Sequence, residues 1–143
     1  MSRVAVIIPC GKAKLARPAQ ACQLYTGSLF KANLTWALSV VALRDIYILS
    51  AKYGLVISAK VLEPYDVFMG DPGCIDAATV KAQAQELGLH EQRVYGLGGE
   101  KYRAVMRAAL PAVCFPMPSV GMGYQMQLLK KNRGVLPHWR PAA

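Results

Sequence analysis

The sequence predicts a single α/β domain, a three-layer sandwich in which a small, mainly parallel four-stranded sheet lies between helices. Three observations predict it. Short apolar runs rich in β-branched residues alternate with segments of helical period along the chain. The chain has 143 residues, 54% of them hydrophobic, which suits one core and leaves little room for a second. Polar, glycine-bearing loops follow the apolar runs, as at the carboxyl edge of a parallel sheet.

Arg3 to Pro9 is a continuous apolar run and reads as a buried parallel strand, with Cys10-Gly-Lys-Ala-Lys14 as the loop at its carboxyl end. Arg17 to Ser28 is a longer connection with one helical turn. Ser28 is a plausible N-cap for a helix over Leu29 to Leu43, which places Phe30, Leu34, Ala37, Leu38 and Val41 on one face. Asp45 to Leu49 is the second strand. It runs into Ser50-Ala-Lys-Tyr-Gly54, a polar turn at a strand end. Val56 to Asp71 reads as a loop with extended pieces, closed by the turn Asp71-Pro-Gly-Cys74.

Asp76 to Leu87 is an amphipathic helix stopped by Gly88. Gln92 to Leu97 is the third strand, ending in Gly98-Gly99. Lys101 to Leu110 is a helix that stops at Pro111, and Ala112 to Phe115 is a fourth short strand. Pro116 to Gly123 is a loop before a last helix over Tyr124 to Asn132. Residues 1–133 form the domain, and 134–143 read as a loose, basic, proline-bearing tail.

The net charge is +9, and the charges are segregated. No acid precedes Asp45 and none follows Glu100, so both ends carry only Lys and Arg. If the ends meet, they form one basic face suited to a polyanion, with DNA or a nucleotide as the first expectation. No apolar run is long enough to span a bilayer, and the one at the start ends at Pro9, too short for a secretory signal. The expected location is cytoplasmic, with no membrane partner and with reduced cysteines. The four cysteines (10, 22, 74 and 114) show no Cys-x-x-Cys spacing and only His90 and His138 accompany them, so no metal is expected. Cys22 and Cys114 read as core residues. There is neither a Walker loop nor a dinucleotide fingerprint, and no cofactor is expected.

The site is expected where the strand ends gather. In the first loop, Gly11 allows close backbone approach, Lys12 and Lys14 supply cations, and Cys10 lacks a neighbouring histidine to activate it. Ser50, Lys52 and Tyr53 close the second strand. Tyr53, Tyr65 and Tyr102 are candidates to stack on a base, or equally core-edge tyrosines with wet hydroxyls. Asp66 is the candidate catalytic carboxylate, as general base or water-orienting group, and reads equally well as a turn aspartate; Glu63 is the second choice. Gly98 ends the third strand. Ser119 and the amides near Gly121, before a helix, suit a phosphate.

Taken together, Cys10-Gly-Lys-Ala-Lys-Leu15, Leu24-Tyr25 to Phe30, Leu49-Ser-Ala-Lys-Tyr-Gly-Leu55, Pro64-Tyr-Asp66, Tyr95-Gly-Leu-Gly-Gly-Glu-Lys-Tyr102 and Gly121-Met-Gly-Tyr-Gln125 resemble a family of small uncharacterised bacterial and phage domains. That family is similar to the YaaA peroxide-stress proteins, and the resemblance covers most of residues 3–132. It implies DNA binding and protection of DNA from oxidation. A weaker similarity is to the uracil-DNA glycosylase superfamily, whose late Pro-Ser loop corresponds to Met117-Pro118-Ser119 here. Met117 stands where the glycosylases place His or Asn, and a methionine cannot donate a hydrogen bond to a leaving base. The resemblance implies a nucleic-acid-directed protein acting on a modified or damaged base by N-glycosidic hydrolysis or exchange. The alternatives are a non-catalytic DNA-binding protein and an enzyme of free nucleotides.

Overall fold

The computed structural model describes residues 3–140. Strand β1 (Val4–Pro9) is the centre of the fold because all but its first residue are buried, as expected of a parallel strand covered on both faces. It pairs in parallel with β3 (Ile46–Ser50), Val6 opposite Ile46, and with β6 (Arg93–Gly96), Val4 opposite Arg93. The fourth strand, β4 (Gly54–Ile57), lies antiparallel to β3, giving the order β4-β3-β1-β6. A two-stranded ribbon, β2 (Ala19–Gln20) with β5 (Val61–Leu62), sits apart.

Helices cover both faces. On one face α1 (Ala21–Leu24), α2 (Ser28–Val40) and α5 (Met122–Lys131) pack on Val6, Ile8, Ile46 and Ile48, with Phe30, Trp36, Ala37 and Leu129 buried among them. On the other, α3 (Ala77–Glu86) and α4 (Glu100–Ala109) pack on Ala5, Ile7, Tyr47 and Leu49 through Val80, Ala84 and Met106. The alternation of a strand's side chains assigns β1 residues to the two cores in turn. The three-layer expectation therefore holds, with a mixed sheet.

Several elements differ from the sequence reading. The fourth sheet strand is β4, not Ala112 to Phe115. Pro111 and Pro116 flank that segment, and it makes only one parallel bridge, Cys114 to Tyr95. Helix α2 starts one residue earlier, with Gly27 as N-cap and Ser28 inside the helix, and ends at Val40. Its buried face is Phe30, Asn33, Trp36 and Ala37, whereas Leu38 is 48% exposed. The expected stripe drifted because Trp36 and Asn33, not Leu34 and Leu38, face the sheet. Cys114 is buried as expected, but Cys22 is only half-buried.

The described part of the tail is docked. Tyr95 Oη donates to the Pro137 carbonyl at 2.6 Å, and Trp139 Nε1 donates to Val94 O at 3.3 Å. An aromatic ring that buries area and finds a partner for its N–H holds a segment that composition alone reads as loose. The remainder of the predicted tail, 141–143, lies outside the described residues. No helix among the described residues is long and apolar enough to cross a membrane.

Candidate functional site

A cleft of about 530 Å³ opens at the carboxyl edge of the sheet, within the size range of small-molecule sites. Its first wall is the end of β1 and the loop after it, Pro9 to Ala13. The second is the start of α2, from Gly27 to Phe30, with Asn33 one turn deeper. Phe68, Tyr102 and Met122 complete it, from the loop after β5, from α4 and from the start of α5. The lining contains no Asp or Glu.

Cys10, Gly11, Lys12 and Tyr102 thus come together as the sequence reading expected. Cys10 is held by its amide, which donates to Leu49 O at 3.0 Å, and its Sγ lies 3.2 Å from Tyr102 Oη. Lys12 Nζ stands 5.9 Å from the centre of the exposed Phe68 ring. Burial raises Tyr102 well above the usual phenol range, with a further contribution from Cys10, so the phenol stays protonated.

Ser50, Tyr53, Tyr65 and Lys14 form a second cluster beside the cleft and do not line it. Ser50 is fully buried. Its Oγ accepts from the amides of Lys52 (3.2 Å) and Tyr53 (3.0 Å) and donates to Tyr65 Oη at 2.8 Å. Tyr65 and Tyr25 share a 2.6 Å hydrogen bond. With both acceptor positions taken by amides, Ser50 has one proton to give and gives it inward; its work is to close the β3–β4 turn. Burial pushes Tyr25 up to about 12 and raises Tyr65 further, both kept as neutral donors and acceptors. Lys14 Nζ donates to Lys12 O at 2.9 Å and stands 4.4 Å from the Tyr65 ring centre. Burial lowers its pKa, and the proximity of Cys10 and Asp66 opposes that. Tyr53 packs edge-on to Tyr65, and Lys52 lies exposed over the Tyr53 ring.

The remaining expected residues are more scattered. Asp66 is exposed near Lys14 and has no hydrogen bond or ion pair among the described residues. Ser119 is exposed on the loop before α5, and Gly121 is the N-cap of that helix. Gly98 has a structural reason to be glycine. Its φ is +126°, and an added Cβ would lie 3.1 Å from the Pro9 ring and 3.3 Å from Tyr102 Cβ. Beneath it the buried Arg103 donates to Gly98 O and Met117 O, both at 2.7 Å, and stacks 4.8 Å from Phe115. One side chain therefore ties the loops after β6 and before α5 to each other.

The sequence reading missed Asn33, the start of α2, Phe68 and Met122. Asn33 is 1% exposed, and its Nδ2 has no hydrogen-bond partner. A polar residue on the apolar stripe of a helix, between Phe30 and Trp36, was the signal that pointed to it. The cations also divide. Lys12, Lys14 and Lys52 gather near the cleft edge, whereas Lys130 and Lys131 occupy the last turn of α5, about 15 Å along the helix.

Fold and cleft together define an α/β protein with a ligand-sized site at the carboxyl edge of its sheet. The chain belongs to the Family of unknown function (DUF6884), which it matches over residues 5–131. No curated protein and no solved structure matches it.

Proposed function

We propose that this protein is directed at nucleic acid, takes one nucleotide unit with a modified or damaged base into the cleft, and hydrolyses or exchanges its N-glycosidic bond. The cleft carries this reading. About 530 Å³ of space is bounded by Phe30, Phe68 and Tyr102, with Lys12 and free helix amides at the same edge. Flat aromatic and apolar walls suit a base removed from its stack, and a cation with backbone amides suits its phosphate. The resemblance to YaaA proteins and to the glycosylase superfamily supports the same class of ligand. In the reaction, the bond from the anomeric carbon to the base nitrogen breaks. The base leaves with the bonding electron pair and takes up a proton, while a water oxygen, or the nitrogen of an incoming base, bonds to that carbon and gives up a proton. The cleft lining itself offers no acid, so Asp66, beside Lys14 outside that lining, is the carboxylate proposed to orient the water at the cleft mouth, and Ser119 contacts the strand outside.

A second reading, an enzyme of free nucleotides, is favoured by the size of the cleft, which suits a single small molecule. One experiment separates the readings. Purified protein is incubated with single- and double-stranded DNA bearing natural and modified bases, and in parallel with free nucleotides, and released base is measured by mass spectrometry. Release from DNA that Asp66→Asn abolishes is the expected result. Turnover of free nucleotides alone moves the protein to metabolism. Retention of DNA with no product leaves a binding module.

A further inference from the structure

We infer that the cleft contains a subsite for a terminal phosphate monoester, built from the uncapped starts of α2 and α5 with Lys12 and Asn33. The inference rests on the reading of the cleft as a nucleotide site and names the chemical form of the nucleotide.

Helix starts leave backbone N–H groups without intrahelical partners, and proteins normally satisfy them with a side-chain cap or an acid in the first turn. In this molecule α3 and α4 follow that rule. Asp76 caps α3, accepting from Thr79 N at 2.7 Å, and α4 carries Glu100 in its first turn. The two helices whose starts line the cleft do not. The N-caps of α2 and α5 are Gly27 and Gly121, neither helix has a side-chain cap, and neither has an acid in its first turn. Glycine is not required at either position. φ is −70° at Gly27 and −61° at Gly121, and an added Cβ meets nothing within 4 Å at either.

A second, independent observation lies deeper in the same cleft. Asn33 is buried yet has an amide nitrogen with no partner, and it stands between the cleft and a smaller cavity bounded by Gly98, Arg103, Met117 and Gln125. A donor left unsatisfied in a folded protein is unfavourable unless something else accepts from it. A phosphate or base oxygen in the cleft becomes such an acceptor once the Asn33 amide, closed off from solvent as it stands, turns toward it.

The charge favours a monoester over a diester. Lys12 and two helix starts, each equivalent to roughly half a positive charge, together present about two positive charges. A phosphate monoester carries roughly −1.5 to −2 near neutral pH, and an internal diester only a single negative charge. The nucleotide unit is therefore the end of a strand, or a free nucleoside monophosphate.

The test measures binding of the full chain to oligonucleotides with a 5′-phosphate, a 3′-phosphate or neither, and to a nucleoside with and without its 5′-phosphate. The expected result is at least about tenfold tighter binding of a phosphorylated form than of its hydroxyl counterpart, equivalent to about 1.4 kcal/mol. Preference within the oligonucleotides identifies a strand end, and preference confined to the free nucleoside monophosphate identifies a metabolite. Either supports the monoester. The paired variants are Gly27→Asp and Gly121→Asp, which place a carboxylate on the bare amides. Each should raise the Tm by about 1 °C through capping while weakening the phosphorylated ligand roughly tenfold. A purely structural role predicts the first change without the second. Equal affinity for phosphorylated and hydroxyl forms overturns the subsite and leaves nucleotide binding standing. No affinity for any of these ligands overturns both.

Discussion

The two faces of the sheet treat the same local problem differently. All four longer helices leave orphan amides at their starts, and on the α3/α4 face the chain satisfies or neutralises them with its own acids, Asp76 and Glu100. On the α2/α5 face it supplies glycine caps, no acid, and a buried asparagine with an unpartnered nitrogen. The first face closes its helix starts with its own acids, although α4 lends Tyr102 to the cleft and Gln92 keeps a buried Oε1 without a partner on that side. The second forgoes capping energy at the edge where the cleft opens, the trade-off expected of a binding site. In a protein of this kind, positions that depart from the rules of folding help to locate the site.

The largest effect expected is at Arg103, which joins the loops on either side of the cleft. Arg103→Ala removes two charge-assisted hydrogen bonds and the stack on Phe115, and should destabilise the fold by about 4 kcal/mol in denaturant titration. A loss under 1 kcal/mol would mean that the loops are held by other contacts. The next concerns the tyrosine cluster. Tyr25 is raised from near 10 to about 12, so the native state holds this proton more tightly than the unfolded chain. That contribution is fully present below pH 10 and is lost as pH rises through 12. Roughly 2–3 kcal/mol of stability should disappear in that window, and Tyr25→Phe should flatten the decline.

Asn33→Leu sharpens the comparison itself. Replacing an unsatisfied buried amide with an apolar group of similar size should stabilise the protein by about 1 kcal/mol while weakening nucleotide binding. A loss of both stability and binding would make Asn33 an ordinary core residue. The smallest effect is expected on the opposite face. Asp76→Ala should lower the Tm by about 2–4 °C and leave ligand affinity unchanged. The carboxyl of Asp76 is held below its ordinary pKa by its hydrogen bonds to Thr79. The stabilisation it gives is therefore present above the ordinary carboxylate range and fades as pH falls through the lowered value.

The fold was largely legible because β1 and β3 are apolar runs, β6 carries Val94-Tyr95 just before a glycine-bearing loop, and α3 carries its cap and its Gly88 stop in the sequence. Strand β4 was not, because Gly54-Leu-Val-Ile57 is short and follows a polar turn that looks like the start of a loop. Pairing with β3, a long-range interaction, makes it a strand. Of the site, Cys10, Gly11, Lys12 and Tyr102 could be placed from their positions after strands. Ser50 and Tyr65 have equally suggestive positions, but their hydroxyls turn inward to satisfy each other and the turn amides, and sequence does not record that direction. Ser28 is the cap that the sequence predicts, because serine favours that position. The actual cap, Gly27, was informative for what it omits.

The most direct test is a map of backbone amide shifts in the NMR spectrum as a nucleoside 5′-monophosphate is added. The account predicts the largest changes at the starts of α2 (28–30) and α5 (122–124) and at Lys12, with the Asp76-capped start of α3 unmoved. Changes centred on Lys130 and Lys131, or an unaltered spectrum at saturating nucleotide, would contradict it.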